Sequence, residues 1–298
     1  MVMRAAAWHA DRVQAGKGQA QPWWPEPPAV DAVEVRLRHE DNRRAWNEAA
    51  QRYRAGLDDA VEYLRAGGVH LHPLERQHLG DLGAWCDLAV HLQCASGKDT
   101  LSLLNAGAGR VVGVDIAEGH IANARQVSER LGGAAASWYR CDVLDTPHEL
   151  DGTADLVYTG RGALGWVHDL DGWAAVVGRL LRPGGLFHVL DDHAGAYLFD
   201  PAASELRPSG ADYFANVTGS RGWTEQYVGD LGREKAEHAV KHERLWPPSA
   251  VFGALIRVGL VVEQFGEHPD EYWPAFPHLE PQLRRRLPMT YTITARKP

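Results

Sequence analysis

The chain has 298 residues, 45% hydrophobic and 23% charged, with 39 acidic against 31 basic residues and a net charge of -8. That apolar content is enough to bury a sizeable core, which excludes global disorder, and the length suits one large α/β domain or a domain with a cap. No apolar run approaches the roughly 20 residues of a membrane helix, and the acidic balance speaks against a nucleic-acid partner, which needs a basic face. Cys86, Cys94 and Cys141 stand in no C-x-x-C spacing, which argues against a disulfide framework or a zinc site. With no basic-then-apolar leader at its start, the expectation is a cytoplasmic protein.

Residues 1–30 lack periodicity and end in Gln-Pro-Trp-Trp-Pro-Glu-Pro-Pro. Prolines forbid helix there and favour an extended arm, with Trp23 and Trp24 as candidates to cover a pocket or meet a second subunit. Residues 31–84 read as a helical flank. Trp46, Ala49, Ala50, Tyr53 and Leu57 fall on one stripe, so a helix is predicted from about residue 34 until Gly67-Gly68 stops it.

From residue 85 onward strands and helices alternate. Strands are predicted at 88–93, 110–115, 136–141, 154–159 and 186–191, with helices after the first, second and fourth. Regular alternation implies a mainly parallel sheet whose strands all end on one edge, where ligands bind. Between about 193 and 246 the alternation is lost among glycines, charges and aromatic residues, and this stretch reads as a lid on a domain spanning 85–298. A helix at 249–258, a strand at 261–265 and a half-buried antiparallel strand at 289–295 follow.

The segment from Val90 to Leu101 is the most informative. A turn of small residues at a strand's carboxyl end lets backbone N–H groups approach a ligand, and the following helix start favours a carboxylate. Asp115, at the end of the next strand, can accept both hydroxyls of a ribose, and Asp142, past the third strand, can meet the edge of an adenine. Three such features at successive strand ends point to a nucleoside-type ligand. A single glycine between Gln93 and Gly97 argues against a dinucleotide, and no G-x-x-x-x-G-K-[ST] run supports ATP.

The run His91-Leu-Gln-Cys-Ala-Ser-Gly-Lys-Asp-Thr-Leu-Ser, with Val112-Gly-Val-Asp115, Asp155-Leu-Val-Tyr-Thr159, Gly165-Trp166, Leu181-Arg-Pro-Gly-Gly185 and Leu287-Pro-Met-Thr-Tyr, resembles bacterial class I S-adenosylmethionine-dependent methyltransferases. It is similar in particular to a small-molecule subgroup whose loop reads like H-L-Q-C-x-x-G-x-D-T-L-S. The resemblance spans about residues 46–298. It implies a Rossmann-like α/β fold: a seven-stranded, mostly parallel sheet with helices on both faces and the last strand antiparallel, plus the helical N-terminal flank and the lid insertion. It also implies that Gln93, Cys94, Ala95 and Gly97 hold the methionine end of S-adenosylmethionine, largely through backbone. Asp115 would bind the ribose and Ile116 would pack on the adenine, with Asp142 and Val143 bordering it. Thr159 would lie beside the sulfonium and Tyr53 would cover the methionine portion. Three positions depart from the pattern: His91 replaces an acid, and Gln93 and Ala95 replace glycines. Ala95 adds a methyl where the backbone comes closest to the cofactor.

Methyl transfer from a sulfonium needs no metal and no covalent protein nucleophile, but a base helps when the acceptor must lose a proton. Asp191, Asp192 and His193 follow the fifth strand. His193 is the favoured base, because an imidazole titrates near neutrality, with Asp192 second. His168 reads as the neighbour of a helix cap. His238 and His242, four apart on a predicted helix, read as a solvated face rather than a metal pair, and Arg284-Arg-Arg286 as a solvated edge. Trp166, Tyr197, Trp223, Tyr227, Trp246 and Trp273 are candidates to stack on a planar acceptor or surround a cation. The expected acceptor is a small aromatic metabolite (an indole, phenol or amine), with S-adenosylhomocysteine as co-product and no nucleic acid, membrane or metal partner. The Trp-Trp arm makes a homodimer an expectation too. The competing expectation is an S-adenosylmethionine-binding regulator or partner subunit without catalysis.

Overall fold

The computed structural model describes residues 23–133, 135–215 and 217–298. Strand β1 (Trp23–Pro25), helices α1 (Ala32–Arg54), α2 (Leu57–Arg65) and α3 (Pro73–Leu79) come first. Alternation then runs through β2 (Leu88–Leu92), α4 (Lys98–Asn105), β3 (Arg110–Asp115), α5 (Glu118–Arg130), β4 (Ala136–Arg140), β5 (Ala154–Gly160), α6 (Leu170–Leu180) and β6 (Leu181–Asp192). Strands β7 (Val217–Arg221) and β8 (Val240–Arg244), helix α7 (Pro248–Arg257), strand β9 (Val261–His268), helix α8 (Pro281–Arg284) and strand β10 (Thr290–Arg296) complete the chain.

The main sheet has seven strands in the order β4-β3-β2-β5-β6-β10-β9, with β10 antiparallel to both its neighbours. This is the expected architecture. The strands β2 to β5 pair in parallel, and β2 is buried along its whole length because helices cover both faces. Trp173, Val177 and Leu180 of α6 and Leu255 of α7 pack on one face with Val90, Val157 and Phe187. Leu79 of α3 and Leu103 of α4 pack on the other with Leu156 and Tyr158.

The helix predicted from about residue 34 to Gly67 is two helices rather than one. Asp31 caps α1 by accepting the Glu34 N–H at 2.9 Å. The helix closes when the Ala55 and Gly56 N–H groups turn back to the Arg52 and Tyr53 carbonyls, and Gly56 starts α2.

The lid holds regular structure that its sequence concealed. Strands β7 and β8 pair antiparallel, and β1 adds to the free edge of β7, giving a second sheet in the order β1-β7-β8. The tryptophan arm is thus an edge strand, the place in a sheet where a proline such as Pro25 is tolerated. Gly219, opposite Trp24, leaves the space its indole fills. The arm before Trp23 lies outside the described residues.

His238 and His242 do not share a helix: His238 precedes β8 and His242 lies within it. Neither faces solvent as expected. His238 is buried with Nδ1 2.9 Å from Glu48, and His242 bridges Glu26 and Asp41. Asn42 of α1 offers β8 what a neighbouring strand would, donating to the His242 carbonyl at 2.8 Å and accepting its N–H at 2.6 Å. These bonds clamp the lid to the flank.

Candidate active site

The turn after β2 sits at the carboxyl edge of the sheet. Gln93, Ala95 and Gly97 all adopt left-handed backbone, with φ of 59°, 45° and 77°. Such a conformation costs an alanine where a glycine would be free. Gly97 begins α4 without any side-chain cap, so the first N–H groups of the helix stay available to an anion. Cys94 is buried in the core with its N–H bonded to the Val114 carbonyl and its own carbonyl accepting the Gly97 N–H, so both its backbone groups are spent on holding the turn. The Gln93 side chain donates to the Ala163 carbonyl at 2.6 Å, joining the β2 and β5 turns.

Asp115 ends β3 as expected. One carboxylate oxygen accepts the Ala95 N–H at 2.8 Å and the other the Ala117 N–H at 2.9 Å. Burial outweighs these bonds and pushes its pKa up to about 6. Ile116 is half-buried beside it. Asp142 starts the turn that holds the buried Val143, accepting the Leu144 N–H at 3.0 Å. Although burial opposes ionisation, His39, with Nδ1 2.8 Å away, and Arg36 hold its pKa low. Thr159 is fully buried and its hydroxyl donates to the Leu92 carbonyl at 3.1 Å, so it braces β5 against β2. Tyr53 lies edge-on to His120, whose Nδ1 is 2.8 Å from the Ser96 hydroxyl of the turn. An uncapped helix start, a left-handed turn and an acid at the next strand end fit the methionine carboxylate and ribose of S-adenosylmethionine.

A second group of residues gathers at the ends of β5 and β6. Asp191 is buried and accepts the N–H groups of Gly162, Leu164 and Asp192 at 2.7 to 2.9 Å, which fixes the β5 turn. Asp192 accepts the Trp273 indole N–H at 3.3 Å. Burial and the charge of Asp191 raise its pKa far above the ordinary carboxylate range. A narrow cavity lies here, lined by Gly162, Gly165, Asp191, Asp192, Glu243 and Trp246 among others. Its free space is on the order of one water molecule. Tryptophan and tyrosine rings pack on one another between α1 and the lid. Trp46 lies 4.6 Å from Trp223 and 5.2 Å from Trp166, and Tyr227 lies 5.1 Å from Trp273. Tyr197 packs on Phe276 in a separate cluster with Leu279 and Met289.

His193, the expected base, is not among the residues that line the cavity. Its Nδ1 accepts the Gly195 N–H at 3.0 Å and its Nε2 meets Glu267 at 2.8 Å, so both ring nitrogens are engaged. The ring packs on Tyr291, and the cavity-lining position falls to Asp192, one residue earlier. Trp246 lines the cavity, with its indole donating to the Val167 carbonyl at 2.9 Å and the Arg244 guanidinium stacked on its ring. Sequence reasoning missed Glu243 and Tyr272. Glu243 lines the cavity from β8, and the Tyr272 hydroxyl lies 3.5 Å from Asp191. Period-two alternation would have put Lys241 and Glu243 on one face of a strand, but the charged run around them reads as a solvated helix.

Residues 89–185 match a family model described as a methyltransferase domain. A solved S-adenosylmethionine-dependent methyltransferase from Mesorhizobium loti is 25% identical, with a TM-score of 0.50 over 81% of this chain and 100% of that one. Geranyl diphosphate C-methyltransferase from Streptomyces coelicolor A3(2) superposes with a TM-score of 0.51 at 15% identity, covering 76% of each chain. A SAM-dependent methyltransferase from Methanosarcina mazei gives 0.50 at 17% identity over 76% and 98%. No protein of curated function matches the sequence. Residues 89–185 thus form a methyltransferase domain, in a fold shared with solved S-adenosylmethionine-dependent methyltransferases, and S-adenosylmethionine is the cofactor.

Proposed function

We propose that the chain methylates a small aromatic metabolite (an indole, a phenol or an amine), as natural-product methyltransferases do. The observation that carries this reading is the cluster of Trp46, Trp166, Trp223, Tyr227 and Trp273 rings, packed on one another next to the β5 turn that lines the cavity. Bound S-adenosylmethionine supplies an activated methyl group, so the protein's task is to place an acceptor in line with it and exclude water. The rings offer flat surfaces for stacking. Asp192 is the base in this reading, because its raised pKa suits it to take a proton near neutrality. Admitting an acceptor requires β8 to part from the turn at 162–166, since the cavity is narrow as it stands. The net charge of -8 favours a small acceptor over nucleic acid.

A second reading, cofactor binding without turnover, draws on the left-handed Ala95 and on the commitment of both Asp115 oxygens to backbone N–H groups. Mass-spectrometric detection of methyl transfer to a panel of indoles, phenols and amines separates the two. Transfer that falls at least about tenfold in Trp223→Ala supports the first. Tight cofactor binding with no methylated product across the panel favours the second.

A further inference from the structure

Three carboxylates, Asp191, Asp192 and Glu243, line the acceptor cavity. Two come from the end of β6 and the third from β8 in the lid, so folding rather than a local motif assembles them. Asp191 is occupied by three backbone N–H groups. Asp192 is engaged by the Trp273 indole and, more remotely, by Tyr272. Glu243 is partly buried, and an oxygen of its carboxylate lies 3.4 Å from where a Cβ on Gly165 would stand. No hydrogen bond lowers its pKa. Burial raises it, and the charges that act on it are Lys241, which opposes the rise, and Asp191, which adds to it.

Positive charge nearby falls short of this. The Lys241 ammonium donates to the Ser220 hydroxyl and lies 5.1 Å from the centre of the Trp223 ring. Arg161, at the end of β5, is taken up by Asp99 and Glu75, and Arg244 stacks on Trp246. One ammonium therefore stands against three carboxylates around one cavity. Carboxylates withdrawn from water without a cation are costly, and a site that retains them is suited to a ligand that brings one.

The other walls suit the same ligand. The hydroxyls of Tyr227 and Tyr272 and the Asp192 carboxylate converge on the open side of Gly162, at 3.1, 3.6 and 3.7 Å from where its Cβ would be. Aromatic faces hold cations, as Lys241 over Trp223 already illustrates. A diphosphate or carboxylate acceptor would meet charge of its own sign.

We propose that the methyl acceptor is an organic cation, a protonated primary or secondary amine on an aromatic body, held by Glu243 and Asp192 among the rings of Trp223, Tyr227 and Trp273. This rests on the methyl-transfer reading above and narrows it to nitrogen. The Asp192 carboxylate takes a proton from the bound ammonium, which frees the nitrogen lone pair. The nitrogen–carbon bond then forms as the sulfur–carbon bond breaks, with that electron pair staying on sulfur. The N-methylated product leaves as a cation, and Asp192 returns its proton to solvent.

The test is a fluorescence titration of the S-adenosylhomocysteine-saturated protein with phenethylamine and tryptamine, against the neutral 2-phenylethanol and indole-3-ethanol. The amines should bind at least about tenfold more tightly than the matched alcohols. Glu243→Gln should remove most of that preference without changing S-adenosylhomocysteine affinity, and Asp192→Asn serves the same purpose if Glu243→Gln does not fold. Alcohols that bind as tightly as the amines overturn the proposal. S-adenosylhomocysteine is titrated separately. Its failure to bind would overturn the methyltransferase reading and this proposal with it, whereas intact S-adenosylhomocysteine binding without an amine preference overturns this proposal alone.

Discussion

The two halves of the candidate site are built differently. On the cofactor side, the turn after β2, Asp115 and Asp142 lie on consecutive strand–helix units and work largely through backbone N–H groups and strand-end acids. On the acceptor side, Asp192, Glu243, Trp46, Trp223 and Trp273 come from β6, β8, α1, the lid and the segment after β9, and meet only in the folded chain. The first half is a local construction that parallel sheets repeat. The second depends on long-range packing, and it is where the proposed function places specificity.

If the halves are separable, damage to one should spare the other. Asp192→Asn should lower kcat by about 10² to 10⁴ through loss of the base, while the Kd for S-adenosylmethionine stays within about twofold. Steady-state kinetics beside calorimetry would show the split. Asp115→Ala should instead weaken cofactor binding by about 100-fold, on the scale of losing two hydrogen bonds to a charged group. Ala95→Gly should sharpen the contrast from the other direction, stabilising the protein by about 1 kcal/mol through relief of the left-handed alanine, as read by chemical denaturation.

The pH dependence of stability carries a smaller effect. His188 is fully buried with neither ring nitrogen bonded, and burial lowers its pKa to about 3. The folded state therefore holds it neutral, so its contribution is intact above an unfolded pKa of about 6.5 and is lost as pH falls toward 3. His120 and His168 are lowered to about 3 in the same way. Asp115 has the opposite sign: with a folded pKa of about 6 against 3.8, its burial costs stability as pH rises between those values. Thermal melts of His188→Phe should show less loss of stability between pH 8 and pH 5 than the wild type. An equal loss would mean that His188 does not titrate in unfolding.

What the sequence disclosed follows the same division. The parallel strands, the order of strand ends and the cofactor turn were legible because β2, β3 and β5 are apolar runs bounded by turns, and each unit is closed within about 30 residues. The lid sheet was not. Strands β7 and β8 are five residues each, β8 is mostly charged, and the partner of β1 lies almost 200 residues away. Asp192 is the last residue of β6 and His193 the first beyond it, and no sequence pattern at so buried a strand end tells which of the two meets the cavity. Glu243 was hidden because a charged residue usually means solvent, and only the packing of α1 against β8 shows otherwise.

The most direct test is calorimetric titration of S-adenosylmethionine into the wild type, Asp115→Ala and Asp192→Asn. Micromolar binding by the wild type and Asp192→Asn, with binding lost or greatly weakened in Asp115→Ala, is the predicted result. Full-strength binding by Asp115→Ala, or loss of binding in Asp192→Asn, would contradict a cofactor site seated at the β2 turn and separate from the cavity at Asp192.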